Sequence, residues 1–95
     1  MPKAVDVNLD AAEMVLKLEK ENAPRRIEYT RLDRLVKAKE PVRKLLRKVE
    51  ADSIRVYVRG MEEPIVIDSV KVGDFGHVEE FLMKVAEKYD VAVER

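Results

Sequence analysis

Ile54, Val56 and Val58 alternate with Arg55, Tyr57 and Arg59, and that period of two puts three β-branched side chains on one face of a strand. Gly60 supplies the freedom a turn needs, Met61, Glu62 and Glu63 fill a loop of hairpin length, and Pro64 restarts an extended segment. Ile65, Val66 and Ile67 form an unbroken apolar run, which predicts a return strand set deeper in the sheet than its partner. Residues 53–68 therefore predict a β-hairpin. A two-stranded ribbon is marginal alone in water, so other elements must cover its apolar face.

Around that hairpin the pattern predicts helices and short strands. Residues 3–7 read as extended. Ala11, Met14, Val15 and Leu18 recur at helical spacing, widened by Leu9, Ala12 and Leu16, and predict a helix from Leu9 or Asp10 to the region before Pro24. Residues 26–30 alternate and read as a short strand. From Thr30 the apolar residues Leu35, Ala38, Val42, Leu45 and Val49 keep one helical phase across Pro41. Proline inside a helix costs about 3 kcal/mol, so the expectation is a kinked helix or two nearly coaxial ones. Asp74 is placed to cap a helix with the stripe Phe75, Val78, Leu82, Val85 and Tyr89. Val91, Ala92 and Val93 read as a closing strand.

After Pro24 the predicted order is strand, helix, strand, strand, helix, strand. That order is α+β and matches the ferredoxin-like split βαβ arrangement (β-α-β-β-α-β), two helices over a four-stranded antiparallel sheet. The expected organisation is one domain over 1–95, with residues 1–24 as an extra N-terminal helical extension on a 25–95 core. The alternative is a winged helix, with helices 31–39 and 41–51 before a wing at 53–68. The stretches S-I-R-V-Y-V-R-G-M-E-E-P-I-V-I-D (53–68) and F-G-H-V-E-E-F-L-M-K-V-A-E-K-Y-D-V (75–91) resemble, in style, small uncharacterised proteins of hyperthermophilic archaea. That resemblance implies no functional residue.

Composition narrows the chemistry. The 95 residues contain no cysteine, which excludes disulfides, thiolate catalysis and sulfur-ligated metals. No apolar run approaches the ~20 residues of a membrane span, so the expectation is a soluble, cytoplasmic protein with no membrane partner. Charged residues make up 40% of the chain and glutamine is absent, a composition of the kind found in heat-adapted proteins. Net charge is zero, yet its sign is segregated. Residues 25–59 hold twelve basic against five acidic side chains (+7), residues 60–95 carry −5 and residues 1–24 carry −2. Such asymmetry points either to a polyanionic partner or to two halves that neutralise each other.

Catalytic signatures are missing. His77 is the only histidine and has no nucleophile in a suitable context; it reads as a first-turn helix residue. Asp74-Phe75-Gly76 spells a kinase tripeptide in a chain too short for the rest of that machinery, and the three glycines fit no phosphate-binding loop. No metal and no cofactor is expected. On the predicted helix, Arg43 and Arg47, and Lys44 and Lys48, stand four residues apart. With Arg34 and Lys37 they either line phosphates or are answered by Glu79, Glu80 and Glu87 of the second helix. Arg55, Tyr57 and Arg59 present an aromatic between arginines on a sheet face, a base-stacking surface or a set of cross-strand ion pairs with Glu28, Asp68 and Glu94. The functional expectation is a small non-catalytic interaction or regulatory module that self-associates or binds another protein. The alternative is a nucleic-acid-binding protein using the basic helix 34–48.

Overall fold

Seven strands and one helix make up the computed structural model, which describes residues 1–95. The order is β1 (Ala4–Leu9), β2 (Glu13–Leu18), β3 (Arg25–Glu28), a 3-10 turn (Tyr29–Arg31), β4 (Leu32–Lys44), β5 (Arg47–Val58), β6 (Ile65–Asp68), α1 (Phe75–Tyr89) and β7 (Ala92–Glu94). The first three strands form an antiparallel sheet in the order β1-β2-β3. The others form a second sheet in the order β6-β5-β4-β7, in which only the β4–β7 pair is parallel. The fold class is α+β as the sequence predicts. One helix and two sheets, however, replace the two helices and single sheet of the split βαβ arrangement, and the helices of the winged-helix alternative are strands as well.

The N-terminal segment shows why the helical reading fails. Met14 and Leu18 suit a helix, but Met14, Leu16 and Leu18 also alternate, and these three are the buried ones. Glu13, Val15 and Lys17 lie on the opposite face. Asp10, expected at the start of a helix, instead turns the chain: its N–H donates to the Glu13 carbonyl at 2.9 Å, and Leu9 pairs with Met14. Residues 1–24 are thus part of the packed sheet structure and not a helical extension.

The expected helix between Thr30 and Ala51 is the largest correction. β4 and β5 form one long hairpin that pairs Leu35 with Val56, Val42 with Val49 and Lys44 with Arg47. Val36, Val42 and Val49 are β-branched and prefer a pleated surface, and Pro41 opposes helix but is tolerated at a sheet edge. It occupies such an edge, because β7 reaches only as far as Val36.

α1 forms over Phe75–Tyr89 as the stripe predicts and buries Phe75, Val78, Leu82, Val85 and Ala86. The Asp74 side chain makes no capping hydrogen bond. At the other end Asp90 takes the left-handed conformation (φ 56°) that usually favours glycine. The helix shares a core of nineteen buried residues with Leu35, Ile54, Val56, Ile65 and Ile67 of one sheet and Met14, Leu16, Leu18 and Ile27 of the other. Tyr29 sits between the layers. Its hydroxyl donates to the Asp10 carbonyl at 2.6 Å, and its ring meets Tyr89 edge-on at 5.7 Å. Burial, reinforced by the Asp10 charge, pushes the Tyr29 hydroxyl pKa up to about 12.

Candidate functional site: the tip of the β4–β5 hairpin

β6 pairs with β5 only at Ser53–Val56, and β7 pairs with β4 only at Arg34–Val36. Beyond them residues 39–44 and 47–52 continue as a two-stranded arm with no strand on either side. Six paired residues at the rise of a β-strand make it about 20 Å long. Its base is tied by ion pairs, Lys39 to Asp52 and Arg55 Nε to Glu40 at 2.7 Å. The hydrogen bond that Lys39 donates to Asp52 holds its ammonium pKa above the ordinary value, and the one that Arg55 donates to Glu40 does the same for the guanidinium.

The arm ends in V-R-K-L-L-R-K-V, a near mirror image about Leu45–Leu46. Lys44 pairs with Arg47 and Arg43 with Lys48, so the two leucines form a two-residue turn. Leu45 has φ 57° and is 89% exposed; Leu46 is 98% exposed. Two-residue turns of this kind favour glycine or asparagine, and a branched side chain at positive φ is strained. The cross-strand pairs Arg43–Lys48 and Lys44–Arg47 add like charges directly opposite one another, which is destabilising. Adjacent residues of a strand point to opposite faces, so the four cations surround the apex on both sides of the ribbon. All four are exposed and none reaches a carboxylate. Behind the tip, Lys39, Pro41, Lys48, Val49 and Glu50 line a shallow depression of about 500 Å3.

The nine residues singled out in the sequence therefore part company. Arg34 is engaged: it lies 3.1 Å from Asp33 and 3.5 Å from Glu94, with its guanidinium 3.7 Å above the Tyr57 ring. That contact covers the aromatic face on which a base would stack. Lys37 is 3.9 Å from Glu79 of α1, the one place where the helix answers the basic segment, while Glu80 pairs with Lys84 within α1. Arg55 is held by Glu40 and not by Glu28 or Asp68. Arg59 joins the Arg31 backbone, with its N–H donating to the Arg31 carbonyl at 2.9 Å. Only Arg43, Lys44, Arg47 and Lys48 converge, as cross-strand neighbours and not as a helical ladder. The helical spacing that includes Leu45 does not hold, and Leu45 with Leu46 forms the turn. The mirror symmetry of the tip sequence was the signal that marks them as a turn.

Elsewhere the polar groups serve the fold. Asp68 is fully buried and its Oδ1 accepts from the N–H groups of Val70 and Lys71 at 2.9 and 2.8 Å. Its Oδ2 lies 3.6 Å from the Lys71 ammonium, and the group fixes the turn after β6. His77 is an exposed residue of the first turn of α1, its ring 6.4 Å from Phe81. No three His, Asp or Glu side chains converge in a way that holds a metal ion. No helix is long and apolar enough to cross a membrane.

Fold and site together define a two-sheet α+β protein that carries a cationic, leucine-tipped β-arm. No family model matches the chain, and no curated protein or solved structure matches it either.

Proposed function

We propose that this protein is a small non-catalytic interaction module that grips an anionic partner with the tip of its β4–β5 arm. The observation that carries the reading is the group of four exposed, unpaired cations around a solvent-exposed Leu45–Leu46 apex. Strain at Leu45 and two like-charge rungs oppose folding locally, and violations of local rules concentrate where a chain serves function. A cytoplasmic location belongs to the same proposal.

The test is retention on an immobilised polyanion at about 50 mM salt, where phosphate-type contacts are strongest. Retention is expected for the wild-type protein, with elution on raising the salt and loss in Arg43→Glu combined with Arg47→Glu. A wild-type protein that flows through at low salt ends the proposal.

Self-association is part of the reading and draws support from a second observation. The outer backbone edges of β4 beyond Val36 and of β5 before Asp52 pair with no strand of this chain, and bare edges invite pairing with another copy. Nucleic acid remains the alternative occupant of the four cations.

A further inference from the structure

We propose that the anionic partner is a lipid surface: Leu45 and Leu46 enter the boundary of the hydrocarbon layer, while Arg43, Lys44, Arg47 and Lys48 form a collar among the headgroups. This inference rests on the tip being the working surface and adds the chemical class of what it touches.

Three features favour a bilayer met end-on over a duplex followed along a groove. First, the leading surface is apolar. A free phosphate or a nucleic-acid backbone offers nothing to two leucines exposed to 89% and 98%, whereas an acyl boundary removes them from water. Second, the cations sit one and two residues behind the apex, about 3–7 Å along a strand. The headgroup layer of one leaflet is about 5–8 Å thick, so ammonium and guanidinium groups reach its phosphates as the leucines pass beneath. Third, the arm's unpaired positive charge is confined to the last two rungs, because Lys39 at the base is held by Asp52. Glu50 and Asp52 follow within the arm, and they would face phosphates if the arm lay along a duplex. The chain as a whole is neutral, whereas nucleic-acid binders are usually basic throughout. The expectation of no membrane partner rested on the lack of a spanning segment, and a two-residue apex needs none. Interfacial anchoring combines a small apolar insertion with attraction to anionic lipid, and neither suffices alone.

The experiment compares binding to phosphatidylcholine vesicles with and without phosphatidylserine, by co-sedimentation. The wild-type protein is expected to bind only the anionic vesicles. Removing either leucine weakens binding by about tenfold, and each cation reversed weakens it by about fivefold or more. The central variant is Leu45→Gly with Leu46→Ser, which suits the observed turn better than leucine and so keeps the fold. It is expected to lose the vesicles and keep its retention on the polyanion. The chain has no tryptophan, so Leu46→Trp gives a unique emission that shifts to the blue on insertion. Undiminished vesicle binding by the Leu45→Gly, Leu46→Ser variant, or an unshifted Leu46→Trp spectrum on bound vesicles, overturns insertion. A wild-type protein held by the polyanion but not by anionic vesicles overturns the lipid assignment alone; one held by neither overturns the tip as a working surface. Duplex DNA that strips the wild-type protein from vesicles, and binds the leucine-free variant equally well, assigns the site to nucleic acid instead.

Discussion

At Tyr29 a single hydroxyl links the fold to pH. Its pKa is about 12, above the ordinary value of 10, because burial and Asp10 favour the neutral form. A folded-state pKa above the unfolded one means that the contribution is complete below pH 10 and is lost as pH rises through 12. Urea unfolding between pH 9 and pH 12 is expected to show a steeper alkaline decline for the wild-type protein than for Tyr29→Phe. At neutral pH that variant should be weaker by about 1 kcal/mol, through the lost hydrogen bond to the Asp10 carbonyl. Parallel curves would show that the hydroxyl feels neither burial nor Asp10. None of this is legible in the sequence, where Tyr29 is one position of a short alternating run; its neighbours come from α1 and from the β1–β2 turn.

Among the elements, the sequence speaks clearly where one periodicity stands alone. The stripe Phe75, Val78, Leu82 and Val85 admits no strand reading, and α1 forms over the expected residues. The hairpin of β5 and β6 was equally plain from Ile54, Val56 and Val58 and the turn at Gly60, whose φ is 86°. Ambiguity arose where two periods fit the same residues. Met14, Leu16 and Leu18 satisfy both, and Leu35, Ala38, Val42, Leu45 and Val49 hold a helical phase that the ribbon disregards. What decides such cases is pairing across the chain: β5 offers β4 a partner along its whole length, and a helix there would have left β5 uncovered. The consequence is a reversal of roles among leucines. Leu82→Ala is expected to destabilise by about 2–5 kcal/mol, as a cavity in the core does. Leu46→Ala should stay within about 0.5 kcal/mol of the wild type. Thermal or urea unfolding of the two variants checks this, and a large loss in Leu46→Ala would contradict the exposed apex.

For the whole molecule, charge segregation has a geometric meaning that the linear count did not carry. The excess over residues 25–59 includes cations answered within the body, such as Arg34 and Lys37, and four that stand together unanswered at the far end of the arm. The expected neutralisation by Glu79, Glu80 and Glu87 fails for these four because the arm extends beyond β6 and β7, and only Lys37 meets an α1 carboxylate. The site residues were thus mostly visible as a basic run, while their arrangement depended on a turn of two leucines that no turn preference announces. The same bare edges make oligomeric state the natural whole-molecule measurement. Analytical ultracentrifugation is expected to show a dimer, insensitive to Leu45→Gly with Leu46→Ser if the pairing runs along the strand edges. A strict monomer would exclude self-association, and a dimer lost in that variant would place the contact at the apex.

The arm is continuous with the strands that line the core, and this determines how it bears a load. Tension applied at the apex runs down both covalent backbones at once, while the rungs between β4 and β5 lie across the direction of pull. The hairpin therefore does not unzip when tugged from its end. The places that yield are the short seams where Ser53–Val56 meets β6 and Arg34–Val36 meets β7, so a tethered molecule would shed its flanking strands before its grip came apart.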